Sequence, residues 1–290
     1  MYLFVDELTN VDFSYLDPIR GIVGETWLAN FGLEGSLNEQ GMICDFGIVK
    51  KLFRDWLDNE IDHRLVVPTQ SDYINIDHHN DQTTITWMLK GKNSDHTLGS
   101  KIIISGPHCA FALIDAAIIN ADTVAAHVIN QVSTLMPHSV KRVDLTFSTE
   151  NISGEYYHYS HGLKKHDGNC QRIAHGHRST IEIRVNEQRN TQLEKQWSER
   201  WRDIYLGTEE DIVDSTTEGE TEYWHFEYQA QQGEFKLIIP KNHCEIIPTD
   251  TTVEWLCHYI ASTLKAEIDS NQTITVKAFE GIGKGAIVAL

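Results

Sequence analysis

Two histidines flank a glycine in His175-Gly176-His177. Alternate residues of a strand face the same side, so the two imidazoles stand together. His161 lies at the end of the preceding strand, which a hairpin brings alongside. Three imidazoles leave one position of a tetrahedral ion open, the arrangement a catalytic zinc requires. The chain holds 15 histidines, so chance clustering is the competing reading. Cys170 precedes His175 by five residues. Beside a metal and Arg172 its thiol could have a lowered pKa and serve as a base; the competing reading is an inert, buried thiol. Asp62-His63 follows a helix, in Asn59-Glu-Ile-Asp-His-Arg-Leu65. A carboxylate fixing an imidazole is the orienting half of a proton relay, and a polar helix-end pair is the alternative. Asp77-His78-His79 offers a second such pair.

The elements that must position these residues occur twice. Lys101–Cys109 is echoed by Lys236–Cys244, and Thr123–Leu135 by Thr252–Leu264 with no gap inside the match. Glu150-Asn-Ile-Ser-Gly matches Glu280-Gly-Ile-Gly-Lys, Phe13-Ser14-Tyr15 lines up with Tyr159-Ser160-His161, and Leu37–Gln40 with Val185–Gln188. Matches in a single order imply two copies of one fold, over residues 1–150 and 151–290. Each copy reads as a β hairpin (Leu3–Tyr15 with Thr26–Gly35; Glu155–His161 with Arg178–Val185), then a helix (Phe46–Asn59; Gln192–Tyr205). A β pair follows (Thr84–Leu89 with Lys101–Ser105; Tyr223–Ala230 with Glu234–Ile239), then a second helix and a closing strand (Arg142–Ser148; Thr273–Phe279). Ile48, Val49, Leu52, Phe53 and Trp56 share one face of the first helix. The expected class is α+β, two tandem units that each pack two helices on one face of an antiparallel sheet.

Composition narrows the function. Hydrophobic residues make up 41% of the 290 and charged residues 23%, as in a globular chain. The net charge of −18 opposes binding to nucleic acid or to an anionic membrane surface. The Met1-Tyr-Leu-Phe-Val-Asp start lacks a basic region and a long apolar stretch, so no signal peptide is expected. The longest apolar run, Cys109–Ile119, is broken by Asp115 and is too short to span a bilayer. Five cysteines without paired spacing point to a reducing cytoplasm.

His161 with Cys170…His175-Gly-His177, Gly41-Met-Ile-Cys-Asp-Phe-Gly47, Ile61-Asp-His-Arg-Leu65, Pro248-Thr249 opening a helix, and a strand ending at Glu280 together resemble the 6-pyruvoyl-tetrahydropterin synthase / 6-carboxy-tetrahydropterin synthase family. The resemblance implies the tunnelling fold and ring-shaped oligomers. It implies zinc on His161, His175 and His177, and a proton shuttle through Cys170 with Asp62 and His63. It also implies a pterin pocket drawing on Glu280, or its first-copy counterpart Glu150, and on Thr249. The family spacing from Asp45 selects Asp62, 17 residues on, over Asp77, 32 residues on. Where the family often carries a further Glu, this chain has Thr251 in the second copy and Asp122 in the first.

Neither copy is complete. The first has Tyr15, Val23 and Glu25 at the zinc positions. The second lacks the Gly-Met-Ile-Cys-Asp-Phe motif and, with Trp56 aligned to Trp201, has Gly207-Thr208 where the Asp-His pair belongs. A site split between copies is expected, zinc and cysteine from the second and the dyad from the first. Unlike copies would then alternate in an even-numbered ring, a dimer or tetramer of chains. The activity implied is zinc-dependent lysis of 7,8-dihydroneopterin triphosphate to 6-carboxy-tetrahydropterin, a step of queuosine biosynthesis. Triphosphate elimination to the pyruvoyl product, or a silent scaffold binding a pterin, a purine or zinc, are the alternatives. A triphosphate also needs local cations in so acidic a chain, and Lys164, Lys165, Arg172 and Arg178 are the candidates.

Overall fold

A computed structural model describes residues 1–90 and 98–290. In chain order the first half contains β1 (Tyr2–Asp17), β2 (Gly21–Gly35), α1 (Phe46–Glu60), β3 (Leu65–Pro68), β4 (Ile74–His79), β5 (Gln82–Lys90), β6 (Leu98–Pro107), β7 (Phe111–Ile114), α2 (Ala121–Val132) and β8 (Val140–Ser148). The second contains β9 (Tyr156–His161), β10 (His175–Val185), β11 (Gln188–Arg189), α3 (Thr191–Arg200), β12 (Ile204–Thr208), β13 (Ile212–Glu218), β14 (Thr221–Ala230), β15 (Gly233–Pro240), β16 (Cys244–Ile247), α4 (Val253–Glu267), β17 (Ile274–Phe279) and β18 (Gly285–Ala289).

The strands form three sheets. The first runs β7-β3-β1-β2-β8 and the second β16-β12-β9-β10-β17-β18, with β11 pairing β10. Each is built on an antiparallel hairpin, β1–β2 or β9–β10, with short parallel strands added on one side. The third sheet, β13-β14-β15-β6-β5-β4, draws three strands from each half. Its centre is the antiparallel pairing of the two echoed segments, with Leu237 opposite Ile104. The duplication therefore closes on itself through main-chain bonds between equivalent strands.

Helix α1 starts where Asp45 accepts the N–H groups of Gly47 and Ile48, satisfying donors that a helix start leaves free. It buries Val49, Phe53 and Leu57, one turn apart, while Ile48 stays 66% exposed. Those residues meet Phe13, Trp27 and Phe31 of the sheet and Val124 and Val128 of α2 in one core. In the second half Trp197, Leu256 and Ile260 pack on Tyr157, Tyr159, Ile181 and Ile183. Each such side chain contributes roughly 1.5–3 kcal/mol on burial. A third core joins the halves, with Leu16, Ile22, Trp87 and Ile104 against Tyr205, Phe226 and Leu237.

Two boundaries differ from the sequence expectation. Helix α3 ends at Arg200 because Ile204–Thr208 is drawn into parallel pairing with β9 and β16. Helix α4 begins at Val253, capped by Thr252, so Pro248 and Thr249 lie in the connection ahead of it. The hairpins β1–β2 and β9–β10 face each other at two glycines. A Cβ on Gly24 would lie 1.8 Å from the Tyr159 carbonyl oxygen, and one on Gly176 would lie 2.7 Å from the Gly24 Cα. The Ser14 and Ser160 hydroxyls, equivalent in the repeat, share a 2.7 Å hydrogen bond beside this crossing.

Candidate active site at the junction of the copies

The three imidazoles of the second copy converge where the hairpins cross. His161 ends β9 and pairs across the hairpin with His175, the first residue of β10, and His177 follows on the same face. All three are essentially buried. Ring centroids of His161 and His175 are 4.4 Å apart, and those of His161 and His177 are 5.4 Å apart. One ligand nitrogen from each lies within 4.8 Å of the others.

Two Nδ1 atoms are hydrogen-bonded: His161 Nδ1 lies 3.0 Å from the Thr251 carbonyl oxygen, and His175 Nδ1 lies 3.1 Å from that of Arg172. His177 Nδ1 faces Asp12 Oδ1 at 3.3 Å, within ion-pair reach but without a hydrogen bond. The Nε2 atoms of all three are buried and have no hydrogen-bond partner. An unbonded buried imidazole nitrogen is costly, and three converging ones suit a cation that accepts their lone pairs. Burial, with nearby imidazoles adding to it, holds His161 and His175 well below the usual histidine range, which keeps them in the neutral form a metal needs. The residues present fit a metal ion.

The dyad of the first copy arrives at this cluster within the same chain. Helix α1 ends, and the turn before β3 places His63 at a positive φ of 54°. Its N–H donates to the Asp12 carbonyl at 2.7 Å, and Asp62 Oδ1 accepts the Asp12 N–H at 2.7 Å. Asp62 Oδ2 bonds His63 Nδ1. His63, Cys170 and His175 form a second group with ligand atoms within 4.8 Å of one another. Burial disfavours the charged imidazole, but the bonds from Asp62 and Cys170 override it and lift His63 up to about 10. Glu280 Oε1 lies 3.8 Å from His177 Nε2. Of the other two candidates, Glu150 accepts from Arg178 through its main-chain carbonyl, and the Thr249 hydroxyl donates to the Asp250 carbonyl. Asp77 and His78 lie on β4 of the third sheet, where His78 bonds Thr83.

The counterpart of this site in the other half is closed by ions. Leu65 pairs with Ser14, and Tyr205 with the equivalent Ser160. Counting back from these, Arg202-Asp203 replaces Asp62-His63, and Asp203 has the same left-handed backbone as His63, with φ of 56°. This corrects the expected counterpart Gly207-Thr208, which lies within β12. Asp203 forms a two-pronged bond with Arg20, at 2.6 and 2.9 Å, and Arg20 donates to the Tyr15 hydroxyl. Beside them His158 Nδ1 lies 3.9 Å from Glu25. Burial pushes His158 down to about 4 and Glu25 up to about 7.

Of the expected basic patch, Arg172 is the member at the imidazole cluster. Lys164 is bound to Glu210 and Asp211, and Lys165 to Glu210 and Asp250. Arg178 lies over the Tyr156 ring. Arg172 alone reaches the dyad, donating to the His63 carbonyl, and it is buried. A further cation beside the cluster is Lys284, 3.2 Å from Asp12 and 4.0 Å from Glu280. Sequence reasoning missed both Lys284 and Asp12. Asp12 stands one residue before the repeated Phe13-Ser14-Tyr15, a signal that could have drawn attention to it. Among the described residues, no helix is long and apolar enough to cross a membrane.

The fold and this cluster define a duplicated α+β protein with an imidazole-lined centre set between its two copies. The chain belongs to the 6-pyruvoyl tetrahydropterin synthase family, whose model matches residues 14–154 and again 151–289. Similar solved structures include the 6-pyruvoyltetrahydropterin synthase of Plasmodium vivax, with 21% identity over 51% of this chain and 90% of that one, at a TM-score of 0.39. The enzyme of Plasmodium falciparum is 16% identical over the same shares, at a TM-score of 0.38. No curated protein matches the chain.

Proposed function

We propose that the protein is a zinc-dependent lyase, built as units 1–150 and 151–290, that converts 7,8-dihydroneopterin triphosphate and water to 6-carboxy-5,6,7,8-tetrahydropterin, with triphosphate and acetaldehyde leaving. One observation carries this reading: a first-copy dyad stands against a second-copy cysteine and three unbonded imidazole nitrogens. Independent decay of two copies gives no reason for the surviving halves to meet. A zinc ion on Nε2 of His161, His175 and His177 would supply Lewis acidity to the oxygens of the substrate side chain. Cys170 then removes a carbon-bound proton made acidic there. His63, held by Asp62, exchanges that proton with Cys170 and returns it at the next step. Glu280 accepts N–H bonds from the pterin ring. Glu150, its first-copy counterpart, and Thr249 are the further residues proposed for the pterin pocket.

The same residues serve triphosphate elimination to 6-pyruvoyl-tetrahydropterin, and the family match is equally consistent with that second reading. The dyad and the imidazoles come from one chain, so a second chain is not needed to bring them together. Strands β7 and β8 of the first sheet and β16 and β18 of the second are edges among the described residues. Pairing those edges between chains would close a ring and hide them, and we propose a homodimer or tetramer on that ground. The test is incubation of the zinc-loaded protein with dihydroneopterin triphosphate, with products identified by mass. The carboxy product is expected. The pyruvoyl product would select the second reading, and unchanged substrate would leave a silent scaffold.

A further inference from the structure

We infer that Asp12 of the first copy is the positioning residue for His177 of the second, and through its main chain for the Asp62–His63 pair. The inference rests on the metal reading above. Asp12 is 2% exposed, and every polar group it carries is engaged at the junction. Oδ1 accepts the Thr26 hydroxyl at 2.6 Å and lies 3.3 Å from His177 Nδ1. Oδ2 lies 3.2 Å from Lys284 Nζ and 3.4 Å from Asn10 Nδ2. Its N–H and carbonyl hold Asp62 and His63.

A carboxylate 3.3 Å from Nδ1 favours the proton on that nitrogen by its charge, leaves the Nε2 lone pair for the metal and makes it more basic. His161 and His175 have carbonyl oxygens at Nδ1, so His177 alone has an anionic partner in that place. Because the same residue fixes the dyad through its backbone, a shift at Asp12 moves ligand and relay together. The mirror place in the second copy is His158 facing Glu25, with acid and imidazole exchanged and no ligand set beside them. A merely structural ion pair would affect folding at both places and metal at neither.

The experiment is zinc affinity, by chelator competition on apo protein, for native, D12N and E25Q chains, with the apo unfolding temperature of each. D12N should weaken zinc about 10- to 100-fold, while E25Q should stay within about twofold of native. D12N binding zinc as tightly as native overturns the inference and leaves the metal reading intact. A native chain that takes up no zinc overturns the metal reading and this inference with it. Should D12N fail to fold, T26V, which removes the hydroxyl that orients Oδ1, is read the same way: weakened zinc supports the inference, and native affinity overturns it.

Discussion

Glu25 stands where the second copy has His177, and its carboxyl is buried on the closed side of the junction. Burial raises it to about 7 from an ordinary 4.5, against opposing help from the Thr26 N–H, Arg178 and Arg20. That difference is worth about 3 kcal/mol, at 1.36 kcal/mol for each pH unit. The native chain therefore holds a proton between pH 4.5 and 7 that the unfolded chain has released. Where the native state binds more protons, stability falls as pH rises. The contribution of Glu25 is neutral below pH 4.5, turns unfavourable through the window and is flat above about 7. E25Q keeps the shape and cannot ionise. Urea unfolding of the two apo chains, from pH 4.5 to 8, should show E25Q gaining on native by up to about 3 kcal/mol at the upper end. Titrating groups remote from Glu25 cancel in the difference. A difference that stays flat, or that grows toward acid pH, would refute the buried-carboxyl argument.

Three further outcomes are expected. H177A should lose most of its metal because two imidazoles remain at the site, and undiminished zinc by metal analysis would move the site elsewhere. C170A should keep its zinc and lose turnover; loss of zinc instead would make Cys170 a ligand. G24A should cost about 1–3 kcal/mol in urea unfolding, since its Cβ would fall 1.8 Å from the Tyr159 carbonyl oxygen of the facing hairpin. Unchanged stability would show that the hairpins do not cross there.

Much of this organisation is legible in the chain because it is local or repeated. The cap at Asp45 and the spacing to Asp62 lie in one local stretch, so the spacing of the family the chain resembles selects Asp62-His63 over Asp77-His78. His175, His177 and His161 follow from strand alternation and one hairpin. The errors come from length and distance. Helix α1 has 15 residues and α3 has 10, so aligning Trp56 with Trp201 crosses a length change. The true equivalent of Trp201 is Ile61, each ending its helix. Lys164 and Lys165 looked free because their acidic partners lie some 45 to 85 residues away.

Asp12 shows why the junction was the hardest part to read. Its neighbours His177 and Lys284 lie 165 and 272 residues on in the chain. No periodicity links such positions; only the crossing of two hairpins does. That crossing has a consequence for how the copies could diverge. The backbones meet at Gly24 and Gly176, and the two candidate sites flank the contact on opposite sides. A change that closed one side with the Arg20–Asp203 and Tyr15 bonds did not need to disturb the imidazoles on the other. In a ring of identical subunits every site receives the same substitution. Duplication in one chain removes that constraint, so one junction can be closed by ion pairs while the other keeps three open nitrogens.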